Sequence, residues 1–277
     1  YLWRNKIDAH WGPGFVLPFF KVCPMTVTIH DMTFELLPEV HEPIKRMYFP
    51  FMIRRALKRA DIVFAVSEST ANDIARFIPS ASNSILVTHL AARTLGTSQV
   101  TQPQQTRVKH NLPISDHASK PYVLFVGTLE PRKNLERLLA AWHQLPSELR
   151  DKYHLKVVGV RGWMVEQLDR RGHDSVEFLG HVTDAYLALC LKNAICFAYP
   201  SLYEGFGLPV TEAMAAGIPV LTSDVGATRE VAEGAAVLVD PLSVDSILDG
   251  LIKLLSKPDL RRELSEAGLQ RAAQFSW

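Results

Sequence analysis

Short unbroken apolar runs alternate along the chain with stretches in which apolar residues recur every three or four positions. Residues 27–29, 62–66, 85–87, 122–126, 155–158, 176–179, 195–199, 220–221 and 237–239 read as buried strands. Helical periodicity marks residues 43–59, 69–77, 134–143, 184–192, 208–216 and 243–255, and a further helical pattern precedes the final residues. Strand, helix, strand at these spacings predicts an α/β protein of doubly wound parallel sheets with helices on both faces. At 277 residues the chain fits two domains of ~100–150 residues each.

Between residues 93 and 120 the pattern breaks into a polar, Gln-rich, Pro-interrupted stretch that reads as an interdomain linker or a mobile loop. The expected division is therefore an amino-terminal domain with linker over residues 1–118 and a carboxyl-terminal domain over residues 119–277. Two such domains would frame a cleft at the carboxyl ends of their strands, where ligands of these folds bind.

Composition adds mainly exclusions. Hydrophobic residues make up 47% and charged residues 21%, and the net charge is +1, which gives no global electrostatic case for nucleic acid. Cys23, Cys190 and Cys196 have no metal-ligand spacing and read as buried reduced thiols of a cytoplasmic protein. No apolar run reaches the ~18 residues of a membrane span. The chain opens at Tyr1 without a basic-then-apolar leader, so its native start is expected upstream and the amino-terminal domain is expected to be incomplete.

Two stretches carry candidate chemistry. The strand 122–126 runs into Gly127-Thr128-Leu129-Glu130-Pro131-Arg132-Lys133-Asn134 and then a helix. Gly127 permits a sharp turn and close approach by a ligand, a helix N-terminus suits phosphate, and Arg132 and Lys133 add two cations there. The alternative is a solvated basic pair with Asn134 capping the helix. It is not a P-loop, whose spacing is absent.

The strand 195–199 runs into Ser201-Leu202-Tyr203-Glu204-Gly205-Phe206-Gly207-Leu208-Pro209-Val210-Thr211-Glu212. Gly205 and Gly207 allow a nest of exposed N–H groups, and Pro209 fits the first turn of a helix. Glu204 then lies in the loop and Glu212 one turn into the helix, able to face different parts of one ligand. The alternatives are an exposed loop acid and a first-turn acid favouring the helix dipole.

These stretches, with Ser223-Asp224-Val225-Gly226-Ala227-Thr228-Arg229-Glu230-Val231 and Val237-Leu238-Val239-Asp240-Pro241, resemble the motif series of retaining GT-B glycosyltransferases, closest to family 4, glycosyltransferase group 1. The amino-terminal half is similar more loosely, through His30-Asp31-Met32-Thr33-Phe34, Arg59-Ala60-Asp61 and Val66-Ser67-Glu68-Ser69-Thr70. The resemblance implies two Rossmann-like domains, the first on the acceptor side and the second binding the nucleotide sugar. It implies a nucleoside diphosphate sugar donor, GDP-mannose first with UDP-glucose open, and a glycan or lipid-linked saccharide acceptor. No cofactor and no metal are implied, and the sequence has no Asp-x-Asp motif.

By that similarity Arg132 and Lys133 neutralise the donor diphosphate, with Gly127 beside them. Glu204 lies beside the donor sugar, Glu212 binds the ribose hydroxyls, and the N–H groups of Phe206, Gly207 and Leu208, next to Gly205, hold sugar and phosphate oxygens. His181 and Val182 lie against the base, and His30 faces the donor sugar; for His30 a local backbone contact is the alternative. Asp31 reads as a turn or capping residue. The family's first glycine-rich loop is not visible, Gly12-Pro13-Gly14 fitting a later strand end instead. Thr88-His89-Leu90-Ala91 stands where relatives often have Asn-Gly, and a further helix normally follows Trp277.

Residues 44–61 interleave Lys45, Arg46, Arg54, Arg55, Lys58 and Arg59 with apolar side chains. This suggests peripheral association with the inner face of the cytoplasmic membrane. The alternative is an apolar face in the core and a solvated basic face, and Pro50 is expected to kink or split the helix. Two rival functions stand beside transfer: a non-catalytic nucleotide-sugar-binding fragment, and a two-carboxylate glycoside hydrolase.

Overall fold

The computed structural model describes residues 6–93, 120–160 and 175–277. The expected linker and the 118/119 boundary therefore lie mostly outside the described residues. The first sheet contains β1 (His10–Gly12), β2 (Met25–Ile29), β3 (Ile62–Ala65) and β4 (Ile85–Val87), in that order and all parallel. Its register places Val27 beside Val63 and Val63 beside Ile85. Three helices accompany it: α1 (Thr33–Leu36), α2 (Pro43–Arg59) and α3 (Glu68–Phe77). Ser67 caps α3, its side chain accepting from Thr70 N at 2.9 Å.

The second sheet is parallel throughout. Its strands are β5 (Tyr122–Val126), β6 (His154–Val158), β7 (Val176–Gly180), β8 (Cys196–Tyr199), β9 (Val220–Ser223) and β10 (Ala236–Val239), in the order β10-β9-β8-β5-β6-β7. The chain builds outward from β5 through β6 to β7, then returns to β5's other side and builds through β8 to β10. The switch point lies between β5 and β8, where ligands of open parallel sheets bind. Helices α4 (Leu135–His143), α5 (Ser147–Lys152), α6 (Asp184–Asn193), α7 (Leu208–Ala215), α8 (Gly226–Ala232), α9 (Val244–Ser256) and α10 (Pro258–Ala272) complete this half.

Coverage on both faces explains why the central strands read as continuous apolar runs: Val123, Leu124, Phe125, Phe197, Ala198 and Tyr199 are all fully buried. Cys190 and Cys196 join that core, where burial pushes their thiols up to about 11 and about 12. Cys23, expected to be buried as well, is only half-buried.

Two departures concern α2. It is assigned helical without interruption from Pro43 to Arg59, so Pro50 does not split it. The helix tolerates Pro50 because packing on one side holds it: Met52, Ile53, Ala56 and Leu57 enter the core. Phe49 packs half-buried against that core, but Ile44, Met47, Tyr48 and Phe51 are exposed. The reading of a single apolar face in the core is thus incomplete.

Candidate active site

The loops after β5 and β8 meet at the switch point and are stitched together. Leu202 N donates to Arg132 O at 2.8 Å, Ser201 Oγ lies 3.0 Å from the same oxygen, and Arg132 Nη1 donates to Tyr203 O at 2.9 Å. Pro131, Arg132 and Lys133 form a tight 3-10 turn. Asn134 follows in the left-handed region (φ 60°). Its side chain does not cap α4. Nδ2 instead donates to Pro200 O and Pro241 O at 2.8 and 2.7 Å, tying three strand ends together.

Inside this frame Glu204 is 8% exposed and its carboxylate is nearly saturated. Oε1 accepts from Lys133 Nζ at 2.7 Å, Tyr199 OH at 2.8 Å and Ser201 Oγ at 2.7 Å, while Oε2 accepts from Arg132 Nη1 at 2.8 Å. Arg132 Nη2 also donates to Glu130 at 2.6 Å. Two acids and two cations thus cancel within one buried cluster. Burial pushes the Glu204 carboxyl upward, but Lys133 and Arg132 outweigh it and hold it at about 2. Burial pulls the Lys133 ammonium down, Glu204 opposes that, and the contact at 2.7 Å fixes an ionised pair. Tyr199 is raised by burial and by Glu204, and so stays a neutral donor. The readings of a solvated basic pair and an exposed loop acid are both overturned, since Lys133 is also only 8% exposed.

Gly205 and Gly207 shape the next turn of the chain. Gly207 lies at φ 103° and opens α7, which Pro209 enters in its first turn. The N–H groups of Phe206, Gly207 and Leu208 have no hydrogen-bond partner among the described residues, although Phe206 is 3% exposed. They are the unpaired N–H groups of a helix start, whose partial positive charge suits an oxygen acceptor. Glu212 is buried one turn into α7 and accepts from Arg93 Nε at 2.7 Å. Gly127 ends β5, with a Cβ position 3.6 Å from the Tyr199 ring. His181 and Val182 follow β7 at the same carboxyl edge, the first exposed and the second half-buried.

The amino-terminal half closes over this loop. Ser67 Oγ and Thr70 Oγ1, both fully buried, donate to Gly205 O at 2.6 and 3.0 Å. Tyr203 OH accepts from Met32 N at 3.1 Å and donates to Asp73 at 2.8 Å. Glu230 accepts from Glu68 N and Ser69 N at the start of α3, each at 2.9 Å, and contacts His89 Nε2 at 2.9 Å. His30 is exposed at the end of β2 and makes a local backbone contact, with Nε2 2.8 Å from Pro13 O. Its own carbonyl lies where a Cβ on Gly205 would sit, only 1.6 Å away. Asp31 forms a turn, accepting from Thr33 N and Oγ1.

Several of these partners carry no role in the sequence reading: Glu130, Tyr199, Ser201, Ser67, Thr70, Arg93 and Glu230. Tyr199 and Ser201 flank the end of a buried strand close to Glu204 in sequence, a signal available without coordinates. His41 is another. Its ring stacks on Phe34 at 3.9 Å, and its Nε2 is buried without a hydrogen-bond partner among the described residues.

Comparison with known proteins identifies the family and the fold. Residues 111–271 match the family model for glycosyl transferases group 1. The chain is 34% identical to the O-antigen chain mannosyltransferase B of Escherichia coli, over 98% of this chain and 71% of that protein. It is 30% identical to a serotype-specific mannosyltransferase, WbdA, of the same species, over 79% of this chain but only 28% of the relative's length. Among solved structures, the sucrose-phosphate synthase of Thermosynechococcus elongatus superposes with a TM-score of 0.71 at 26% identity, covering 93% of this chain and 64% of that one. The two parallel sheets are those of a GT-B glycosyltransferase, and the chain belongs to the glycosyl transferases group 1 family.

Proposed function

We propose that this chain acts as a retaining family 4 enzyme, moving mannose from GDP-mannose to a glycan or lipid-linked saccharide acceptor in polysaccharide biosynthesis. The observation that carries the reading is the charge-balanced cluster of Glu130, Arg132, Lys133 and Glu204 beside three partnerless amides at the switch point. Mannose is supported by the names of the two E. coli relatives, both mannosyltransferases.

In this reading the donor diphosphate lies against Arg132, Lys133 and the N–H groups of residues 206–208. As the glycosidic C–O bond breaks, its electron pair passes to the diphosphate oxygen, and the fixed cations meet the growing charge. The carboxylates hold those cations in place beforehand, so little reorganisation is needed. Glu204 Oε2, with one donor against three on Oε1, keeps capacity for a sugar hydroxyl. Glu212 takes the ribose hydroxyls once Arg93 yields or shares it, His181 and Val182 border the base, and His30 reaches the sugar from the other half. The acceptor hydroxyl enters on the face the diphosphate leaves and hands its proton to the departing oxygen, which retains configuration.

The hydrolase reading is disfavoured because neither acid is free to flank a scissile bond: Glu204 accepts from four protein donors and Glu212 from Arg93. The test is transfer from GDP-mannose to a lipid-linked saccharide, with the anomeric configuration of product read by NMR. Retained configuration, undiminished by EDTA, is expected. Turnover of UDP-glucose alone would replace the donor, strict metal dependence would overturn the electrostatic account, and donor binding without turnover would favour the non-catalytic reading.

A further inference from the structure

His41 follows the 3-10 turn Pro38–Val40 in the amino-terminal half, its N–H donating to Pro38 O at 3.1 Å. Arg46 of α2 pins that turn by donating to His41 O and Glu39 O, each at 2.7 Å. The imidazole stacks on Phe34 with ring centroids 3.9 Å apart, and Phe34 stacks in turn on Phe49 at 4.5 Å. Phe15 stands edge-on to Phe34 and Phe49 at 6.1 and 6.4 Å. Stacked and edge-on rings of this kind fix the plane of the imidazole.

A ring so held carries one nitrogen with nothing to bond. Nε2 is buried without a hydrogen-bond partner among the described residues, so the ring's hydrogen bond to the Thr33 backbone belongs to Nδ1. That bond places the hydrogen on Nδ1 and leaves Nε2 a lone pair. Burial lowers the imidazole pKa, Asp31 raises it, Arg132 lowers it and Glu130 raises it; the net direction is down, and the ring is neutral at neutral pH. The charges that bear on it thus come from both halves, Asp31 from its own and Arg132 and Glu130 from across the cleft. Buried polar atoms are ordinarily bonded, so a partnerless one at this place asks for an occupant.

We infer that His41 Nε2 accepts a hydrogen bond from a hydroxyl of the acceptor saccharide. The inference rests on the transferase reading above and gives its acceptor a named contact. A neutral lone pair suits a hydroxyl and cannot bond a phosphate dianion, which offers no hydrogen. The donor is otherwise provided for in that reading: Arg132, Lys133 and the amides of residues 206–208 take its diphosphate, and Glu204 and His30 take its sugar. His41 stands apart from His30 by two aromatic rings, Phe15 at 6.3 Å from His30 and Phe34 at 3.9 Å from His41. The saccharide reaches Nε2 while the halves stand apart, and closure then seats its hydroxyl.

The experiment measures initial rates of mannose transfer from GDP-mannose to octyl α-mannoside in the parent, His41→Phe and His41→Gln. His41→Phe keeps the stack on Phe34 and removes both nitrogens, whereas His41→Gln gives up the stack and keeps an acceptor oxygen at the reach of Nε2. His41→Phe should raise the acceptor KM about three- to tenfold, with the KM for GDP-mannose and the calorimetric affinity for GDP within about twofold of the parent. His41→Gln should recover much of the acceptor KM although it melts at a lower temperature than His41→Phe. A structural role would order the two variants the other way, with acceptor KM following melting temperature, and would overturn the inference. So would an unchanged acceptor KM in His41→Phe, or a rise in the KM for GDP-mannose instead, which would assign the contact to the donor sugar. Absence of transfer by the parent would sink the transferase reading and this contact together; transfer that neither variant alters would sink the contact alone.

Discussion

The cleft and the outer face of α2 are both rich in charge and aromatic side chains, yet they use them in opposite ways. In the cleft, Glu130, Arg132, Lys133 and Glu204 cancel one another over contacts of 2.6 to 2.8 Å, with most of their polar atoms engaged inside the protein. On α2 no acid offsets the basic residues within the helix, and Tyr48 and Phe51 face outward. The first arrangement is a fixed dipolar frame that salt barely reaches; the second is an attractor that acts at a distance and is screened within about a Debye length.

The contrast breaks most sharply at Glu204. Glu204→Ala leaves Lys133 buried without its close acid and Arg132 with Glu130 alone, which should cost about 3–5 kcal/mol of stability and abolish transfer. Glu204→Gln should keep the fold and lose transfer. A melting temperature unchanged in Glu204→Ala would show that the cluster is not a buried, charge-compensated frame. Acid should probe the same pair. The folded Glu204 pKa, about 2, lies below its ordinary 4.5, so its stabilisation is fully present above pH 4.5 and is lost as pH falls toward 2. Melting temperature followed over that window should fall in the parent and less steeply in Glu204→Gln.

Next in size is the grip of the amino-terminal half on the same loop. Removing both hydroxyls with Ser67→Ala and Thr70→Val leaves Gly205 O short of partners, at about 1–3 kcal/mol. Transfer kcat should drop about tenfold or more while affinity for GDP, measured by calorimetry, holds. Equal losses in both would assign these hydroxyls to folding alone. The smallest effect belongs to Arg93, whose side chain is 55% exposed beside Glu212. Arg93→Ala should change stability by less than about 1 kcal/mol and tighten nucleotide binding slightly if the guanidinium competes with ribose. Weaker binding would mean that Arg93 itself holds the nucleotide.

The same two regions show what the sequence alone could convey. Strand positions, the two sheets and the placement of Glu204, Arg132 and Lys133 follow from local signals: apolar runs, glycines after strand ends, and proline at a helix start. The partners of Glu204 do not, because which donors converge on a buried carboxylate depends on neighbouring loops. Ser67 lies 138 residues from Gly205, a contact no local pattern encodes. On α2, apolar side chains occur on nearly every side, so periodicity found the helix but could not say which face was core. β1 is three residues long and α10 buries little beyond Gly268 and Ala272, leaving each only a faint hydrophobic signature.

Gly205 carries a consequence beyond its hydrogen bonds. A Cβ there would collide with the His30 carbonyl, 1.6 Å away, and with Asp31 at 2.9 Å. The two halves therefore touch through the absence of a side chain, and one methyl group would act as a wedge between them. Gly205→Ala would add no charge and remove no ligand-facing atom, yet it would prop the cleft ajar. In the proposed reading such a variant should impair turnover more than nucleotide binding, whose proposed contacts lie mostly in the carboxyl-terminal half.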